Sequence, residues 1–226
     1  MTVITAVSLI LLPVAFNVFF GVLAAIFDYP DILRQPTGEV LERFREGGTR
    51  LILVWWGFAV TAVLFGPVSV LVALQLDASE GVTALSVVLG ALAATVQFLG
   101  LMRWPFLVPE LARRHLVGGA TEQLMIDVVF QSFNRFLGVA VGEHLGYMFT
   151  GLWTVSVAIG WHGVGAGTPW MSVAGIVIGV ALVGCSFEFV GSHEEKGWPV
   201  AARVTPIAYV AWSLWLVVLG VLILLR

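Results

Sequence analysis

Residues 3–26 read VITAVSLILLPVAFNVFFGVLAAI, 24 positions without a charged side chain. At 1.5 Å of rise per residue this run makes a helix about 36 Å long, enough to cross a bilayer hydrocarbon core of about 30 Å. No Lys or Arg precedes it, and it is roughly twice as long as the apolar part of a secretory signal, so it is expected to stay as a span. Five more stretches are long enough and uncharged or nearly so, at about 51–76, 82–102, 138–160, 170–191 and 204–225. Their boundaries fall on Asp28-Tyr29-Pro30, Arg50, Asp77 to Gly81, Arg103-Trp104-Pro105, Gly163 to Gly167, and Lys196 to Pro199.

The whole chain follows the same pattern. Of its 226 residues 59% are hydrophobic and 11% charged, with a mean hydropathy of +1.00, far from the soluble average of about 25% charged. A net charge of −3 supplies no phosphate-neutralising surface, which excludes a nucleic-acid partner. One cysteine, Cys185, rules out an intrachain disulfide. The expected fold is an all-α polytopic membrane bundle, a single integral membrane domain over residues 1–226.

Lys and Arg positions test the span count independently, because cytoplasmic loops retain positive charge. The first loop carries Arg34, Arg43, Arg45 and Arg50, the third Arg103, Arg113, Arg114 and Arg135, the fifth Lys196 and Arg203, and only Arg226 lies elsewhere. This alternation predicts six spans with both termini outside. Two cytoplasmic segments, about 38–47 and 120–137, are expected to be amphipathic helices. In the first, Val40, Leu41 and Phe44 share a face suited to the inner leaflet, and Gly47-Gly48 ends it. In the second, Leu124, Val128 and Phe136 are set against Asp127, Gln131, Asn134 and Arg135. Its polar residues argue against a seventh span and for a helical extension leading into the fourth.

The fourth span contains Gly138-Val139-Ala140-Val141-Gly142-Glu143-His144-Leu145-Gly146, whose three glycines predict close packing of another helix. Glu143 and Glu188 are the carboxylates placed inside spans, and such groups face a bundle interior or an aqueous cavity. With His144, Gln97, Tyr147 and Tyr209 they fall at similar depth, predicting a polar chamber open to the cytoplasm, with Arg103, Arg135, His193 and Arg203 at its mouth. The competing reading is that these groups only satisfy one another and nearby backbone.

A metal set of Glu143, His144, Glu188 and His193 is the weaker alternative, since neither HExxH nor paired cysteine spacing is present. No cofactor is expected: one intramembrane histidine does not make a bis-histidine haem site. Glu194-Glu195 lacks the following arginine of intramembrane prenyl-protein proteases, with Trp198 and Pro199 in its place. No GxSxG serine motif occurs, and Gly163 to Gly167 reads as a turn. Trp104, Trp161, Trp170 and Trp198 are expected to anchor the membrane interfaces, while Trp55, Trp56, Trp153, Trp212 and Trp215 are deeper or ambiguous in place and could line a pocket.

The strings Phe27-Asp28-Tyr29-Pro30, Arg103 to Pro109, Phe133-Asn134-Arg135, Gly142 to Gly146 and Leu152-Trp153-Thr154 resemble an uncharacterised family of bacterial multi-span membrane proteins, classed as a domain of unknown function. The resemblance covers most of the chain and implies an all-helical protein of the bacterial inner membrane, with no assigned activity. Three functions stay open. One is binding or transport of a small molecule or proton through the polar chamber. Another is an accessory, sensing or assembly subunit with a membrane-protein partner or a second copy of itself. The third is an intramembrane, metal-assisted enzyme acting on a lipid-like substrate, with Glu143 as general base.

Overall fold

A computed structural model describes residues 1–76, 78–162 and 169–225, except the side chain of His162. The expected turn at Gly163 to Gly167, the boundary at Asp77 and the charge at Arg226 lie outside the described residues. Among those described, the regular structure is helical: α1 (Thr2–Phe27), α2 (Thr37–Ala73), α3 (Glu80–Phe106), α4 (Val108–Val117), α5 (Ala120–Phe133), a π-helical segment (Asn134–Leu145), α6 (Gly146–His162), α7 (Pro169–Cys185) and α8 (Pro199–Leu224).

Five helical stretches are long and apolar enough to cross a membrane: 2–27, 37–73, 80–117, 120–161 and 199–224. The chain is a helical membrane protein. The stretch expected to span at 170–191 is shorter, because α7 stops at Cys185 after 17 residues. Residues 186–198 then form turns and a short 3₁₀ helix at Gly191–His193. Glu188 therefore lies beyond the helix in a connecting segment, and not inside a span.

Backbone conformation explains the breaks. Asp28 ends α1 in the left-handed region, φ 51°, and its N–H returns to Leu23 O. Gly48 sits at φ 55°, ψ −149° inside α2, a conformation open to glycine alone at little cost. It separates the expected 38–47 helix from the apolar run that follows. That first part is not laid on the leaflet as expected: Val40, Leu41 and Phe44 are each 1% exposed and packed into protein.

Two apolar cores lie along the bundle. The first joins Ala6 and Leu9 of α1, Phe65 and Val68 of α2, Trp153 and Val157 of α6, Leu182 of α7 and Trp212 and Leu216 of α8. The second sits at the arginine-rich end and is built around Trp55 and Trp104, stacked at 4.4 Å with planes 9° apart. Phe27 meets Trp104 edge-on at 5.5 Å, and Phe44 lies 5.9 Å from it. Such aromatic pairs contribute about 0.5–1.5 kcal/mol each beyond area burial. Trp104 and Trp161 are thus core residues, at 0% and 2% exposure, and not interfacial anchors, whereas Trp170 is 54% exposed.

Lipid is as apolar as leucine, so helices in a membrane gain most from close packing and polar contacts. Both occur here. A Cβ on Gly151 would lie 2.5 Å from Gly179 O, and one on Gly179 would lie 2.6 Å from Gly151 O, which brings α6 and α7 into backbone contact. Between α1 and α8, Asn17 Nδ2 donates to Ser213 Oγ at 2.9 Å and to Pro13 O at 2.7 Å.

The α5 helix runs without a break into the π segment and α6, as the expected extension of the fourth span requires. Its apolar residues divide between two faces. Leu124, Val128 and Phe136 are 65%, 59% and 64% exposed, while Ile126 and Phe130 are buried; Asp127 and Asn134 of the polar stripe are half-buried, and Gln131 and Arg135 are exposed. From that stripe Asp127 accepts from Thr37 Oγ1, and Gln131 Nε2 donates to that hydroxyl at 3.0 Å.

Candidate functional site

Twelve consecutive residues, Asn134 to Leu145, pair i→i+5 rather than i→i+4. This winding turns less per residue than an α-helix, so positions four apart stay closer to one line. Gly138, Gly142 and Gly146 form that line, and α3 lies against it. A Cβ on Gly138 would lie 2.6 Å from Arg103 Nη2, one on Gly142 3.3 Å from Gly100 Cα, and one on Gly146 2.7 Å from Gln97 Cγ. The helix expected to pack on the glycine stripe is therefore α3, through Gln97, Gly100 and Arg103.

The same contact places two of the polar residues singled out in the sequence. Arg103 is 9% exposed. Its guanidinium donates to Asn134 Oδ1 at 3.0 Å and to Gly100 O, and lies over Trp104 at 5.3 Å. It is a packed interior group and not a residue of the chamber mouth. Gln97 donates to Thr150 Oγ1 at 3.0 Å and to Ala93 O at 3.2 Å. Neither lines the cavity described next.

On another side of the π segment lies a cavity of about 320 Å³, at the small end of the roughly 300–1,000 Å³ typical of ligand pockets. One wall is the run from Ser132 to Tyr147, including Glu143 and His144. The other is the segment Cys185 to Val190, including Glu188. The structure thus brings together Glu143, His144, Tyr147, Glu188 and Arg135 of the residues expected to form a chamber. Tyr209 stands behind Tyr147, with ring centroids 5.2 Å apart. His193 stacks on Trp198 at 5.9 Å, and Arg203 is exposed; neither lines the cavity.

The two walls are joined by specific bonds. His144 Nδ1 lies 2.7 Å from the carbonyl oxygen of Ser186. A carbonyl only accepts, so Nδ1 carries the hydrogen and, in the neutral ring, Nε2 is an acceptor. Arg135 Nη2 donates to Glu194 Oε2 at 3.0 Å and to Glu194 O, and its guanidinium lies 5.5 Å over Phe189. Trp198 N donates to Glu188 O at 2.7 Å, closing the connecting segment.

Charge in the site is unbalanced. Among the described residues no ion pair within 4.0 Å reaches Glu143 or Glu188, and no protein hydrogen bond reaches the Glu143 carboxylate. Burial pushes the Glu188 carboxyl above its ordinary range, and the positive field of Arg34 opposes it. At Tyr29, between α1 and α2, burial raises the phenol to about 12, with Glu143 adding to the rise and Arg103 opposing it. Tyr29 and Arg103 therefore share the field of Glu143 although neither lines the cavity.

No three His, Cys, Asp or Glu residues among those described come together as a metal-binding group. The alternative set of Glu143, His144, Glu188 and His193 is not assembled, since His193 turns to Trp198. Sequence reasoning missed Ser186, Phe189, Glu194 and Arg34. A backbone carbonyl leaves no residue-type signal, Phe189 and Glu194 lie in a connecting segment whose path depends on where α7 stops, and Arg34 acts from a 3₁₀ helix at Asp31–Arg34, far from Glu188 in sequence.

No curated protein and no solved structure matches the chain. A family model does, over residues 4–220, and by it the chain belongs to the family described as domain of unknown function (DUF4386).

Proposed function

We propose that this protein binds a small molecule or a proton in the cavity between the π segment and the 185–190 connection, as a step in transport or sensing. The observation that carries the reading is the convergence of Glu143, His144, Tyr147 and Glu188, from two separate parts of the chain, on one cavity of about 320 Å³. Ionisable groups at membrane depth are costly and mark ligand or proton pathways.

The proposed topology has six spans, the five long stretches and α7, which is the fifth in chain order. Its support is antiparallel contact along α6: Ser186 meets His144, Gly179 meets Gly151, and a Cβ on Gly175 would lie 2.8 Å from Ala158 Cβ. A helix matched to α6 over that length covers much of the same depth despite its 17 residues. Ten of the eleven Lys and Arg residues lie on segments at the cavity end, which supports an inner-membrane protein with both termini outside and the cavity facing the cytoplasm.

Native mass spectrometry of the protein extracted gently from its own membrane tests the reading. A stoichiometric small molecule should accompany the wild type and be absent from Ala140→Trp, which fills the cavity. If the wild type carries nothing that Ala140→Trp loses, and the two proteins behave alike across pH, the cavity has no ligand role. The second reading, an accessory subunit, draws on the exposed Leu124, Val128 and Phe136 of the 120–145 stretch. It predicts a second polypeptide in the same spectrum.

A further inference from the structure

We propose that the ligand of this cavity is a protonated organic amine with a compact apolar body, its ammonium group seated between Glu143 and Glu188; this rests on the reading of the cavity as a ligand site. The argument is an inventory of what the walls offer. Two carboxylates line the cavity, and among the described residues no protein cation is paired with either. His144 spends its Nδ1 hydrogen on Ser186 O, so in the neutral ring its other nitrogen is a further acceptor.

The cations nearby are otherwise engaged. Arg135 is held by Glu194 and lies over Phe189. Arg103 is on the glycine side of the π segment, donating to Asn134 and Gly100 O. Arg34 is exposed and pairs with Asp31 at 2.8 Å. Arg103 and Arg34 act on Glu143 and Glu188 through their fields, from outside the cavity and without pairing with them; an anionic ligand would meet two carboxylates inside it, and a neutral apolar one would bury them without a hydrogen-bond partner.

The rest of the wall suits the remainder of such a ligand. Phe136, Phe189 and Tyr147 present aromatic surface, with Val139 and Ala140 between them. Aromatic faces attract an ammonium group and pack against an apolar body. A donor with a positive charge satisfies the carboxylates, the free imidazole nitrogen and the rings together.

The test uses the whole protein in nanodiscs of zwitterionic lipid, with empty discs as background, and equilibrium dialysis of three matched probes. These are 2-(1-naphthyl)ethylamine, its N-acetyl derivative and 1-naphthylacetate. The amine is expected to bind once per chain and at least tenfold more tightly than the other two. Glu143→Gln should weaken it at least tenfold and Glu188→Gln several-fold, while Arg113→Gln leaves it unchanged. If Glu143→Gln does not fold, Glu188→Gln and the cavity-filling Ala140→Phe carry the test, and both must lose affinity. Tighter or equal binding of the acetyl or carboxylate probe overturns the proposal. So does failure of all three probes to bind, or an amine affinity indifferent to both glutamates. In those cases a different molecule, found by native mass spectrometry and lost in Ala140→Trp, would leave the cavity a ligand site and remove only the amine.

Discussion

Gly100 of α3 and Gly142 of the π segment meet backbone to backbone: a Cβ added to Gly100 would lie 2.7 Å from Gly142 Cα and 2.9 Å from Leu137 O. Neither obstacle is a flexible side chain, so the helices themselves would have to separate. Because α3 packs on Gly138, Gly142 and Gly146 while Ser186, just past α7, meets His144, this contact helps to set where Glu143 and His144 stand. Gly100→Val should lower the melting temperature in detergent by several degrees, an overpacking cost of about 1–3 kcal/mol or more. Gly21→Ala, with nothing within 4 Å of its added Cβ, should leave it unchanged. Equal effects from the two would show that the contact is not a close one.

The Arg103 to Asn134 bond ties α3 to the start of the π segment. Charged hydrogen bonds contribute about 1.5–3 kcal/mol, and a double-mutant cycle isolates such a pair. For Arg103→Met and Asn134→Leu the coupling measured by denaturant unfolding should fall in that range. Arg103→Lys should recover little of it, since a point ammonium does not reproduce a planar fork held between Gly100 O and Asn134. Strict additivity of the two single variants would place the guanidinium elsewhere.

Trp104 anchors the second core by stacking on Trp55. Its removal as Trp104→Ala should cost about 3–5 kcal/mol, whereas Trp170→Ala, at a 54% exposed position, should cost far less. Thermal unfolding followed by circular dichroism compares them. A similar small loss for both would return Trp104 to the interfacial role its place near Pro105 suggests.

Ala140 lines the cavity and is exposed, whereas Cys185, the sole cysteine, is 3% exposed, so a cysteine placed by Ala140→Cys in a Cys185→Ser background reports the cavity's charge. Small methanethiosulfonate reagents should modify it faster in the aminoethyl (cationic) form than in the sulfonatoethyl (anionic) form, by tenfold or more. Glu143→Gln should shrink that ratio several-fold. Intact-mass kinetics give both rates, and a ratio near one with both glutamates in place would mean the carboxylates do not dominate the field there.

Thr37 joins the start of α2 to α5 through Asp127 and Gln131. Thr37→Val should leave those two polar side chains without their partner and speed amide hydrogen exchange across residues 122–131, with little change in α7 or α8. Unchanged exchange would show that Ile126 and Phe130, buried in the second core, suffice to hold the helix.

The long uncharged runs and the Lys and Arg pattern determined by themselves that this chain is a helical membrane protein, and Gly138, Gly142 and Gly146 determined that a helix packs on that stripe. Those are properties of composition and of period along one chain, set by bilayer thickness and by the size of a side chain. The sequence also placed Glu143, His144, Tyr147 and Glu188 at one depth. Depth is a position along an axis, and residues at one depth on different helices can still face apart. Only tertiary structure decided that these four share a cavity while Gln97 and Arg103 are consumed by α3 packing, because that depends on the rotation of each helix about its own axis. It also decided that α7 stops at Cys185, which carries Glu188 out of the helix and back toward Glu143. The reason is physical: hydropathy reports whether a segment tolerates lipid, whereas helix rotation and helix ends are set by which side chains the neighbouring helices leave room for.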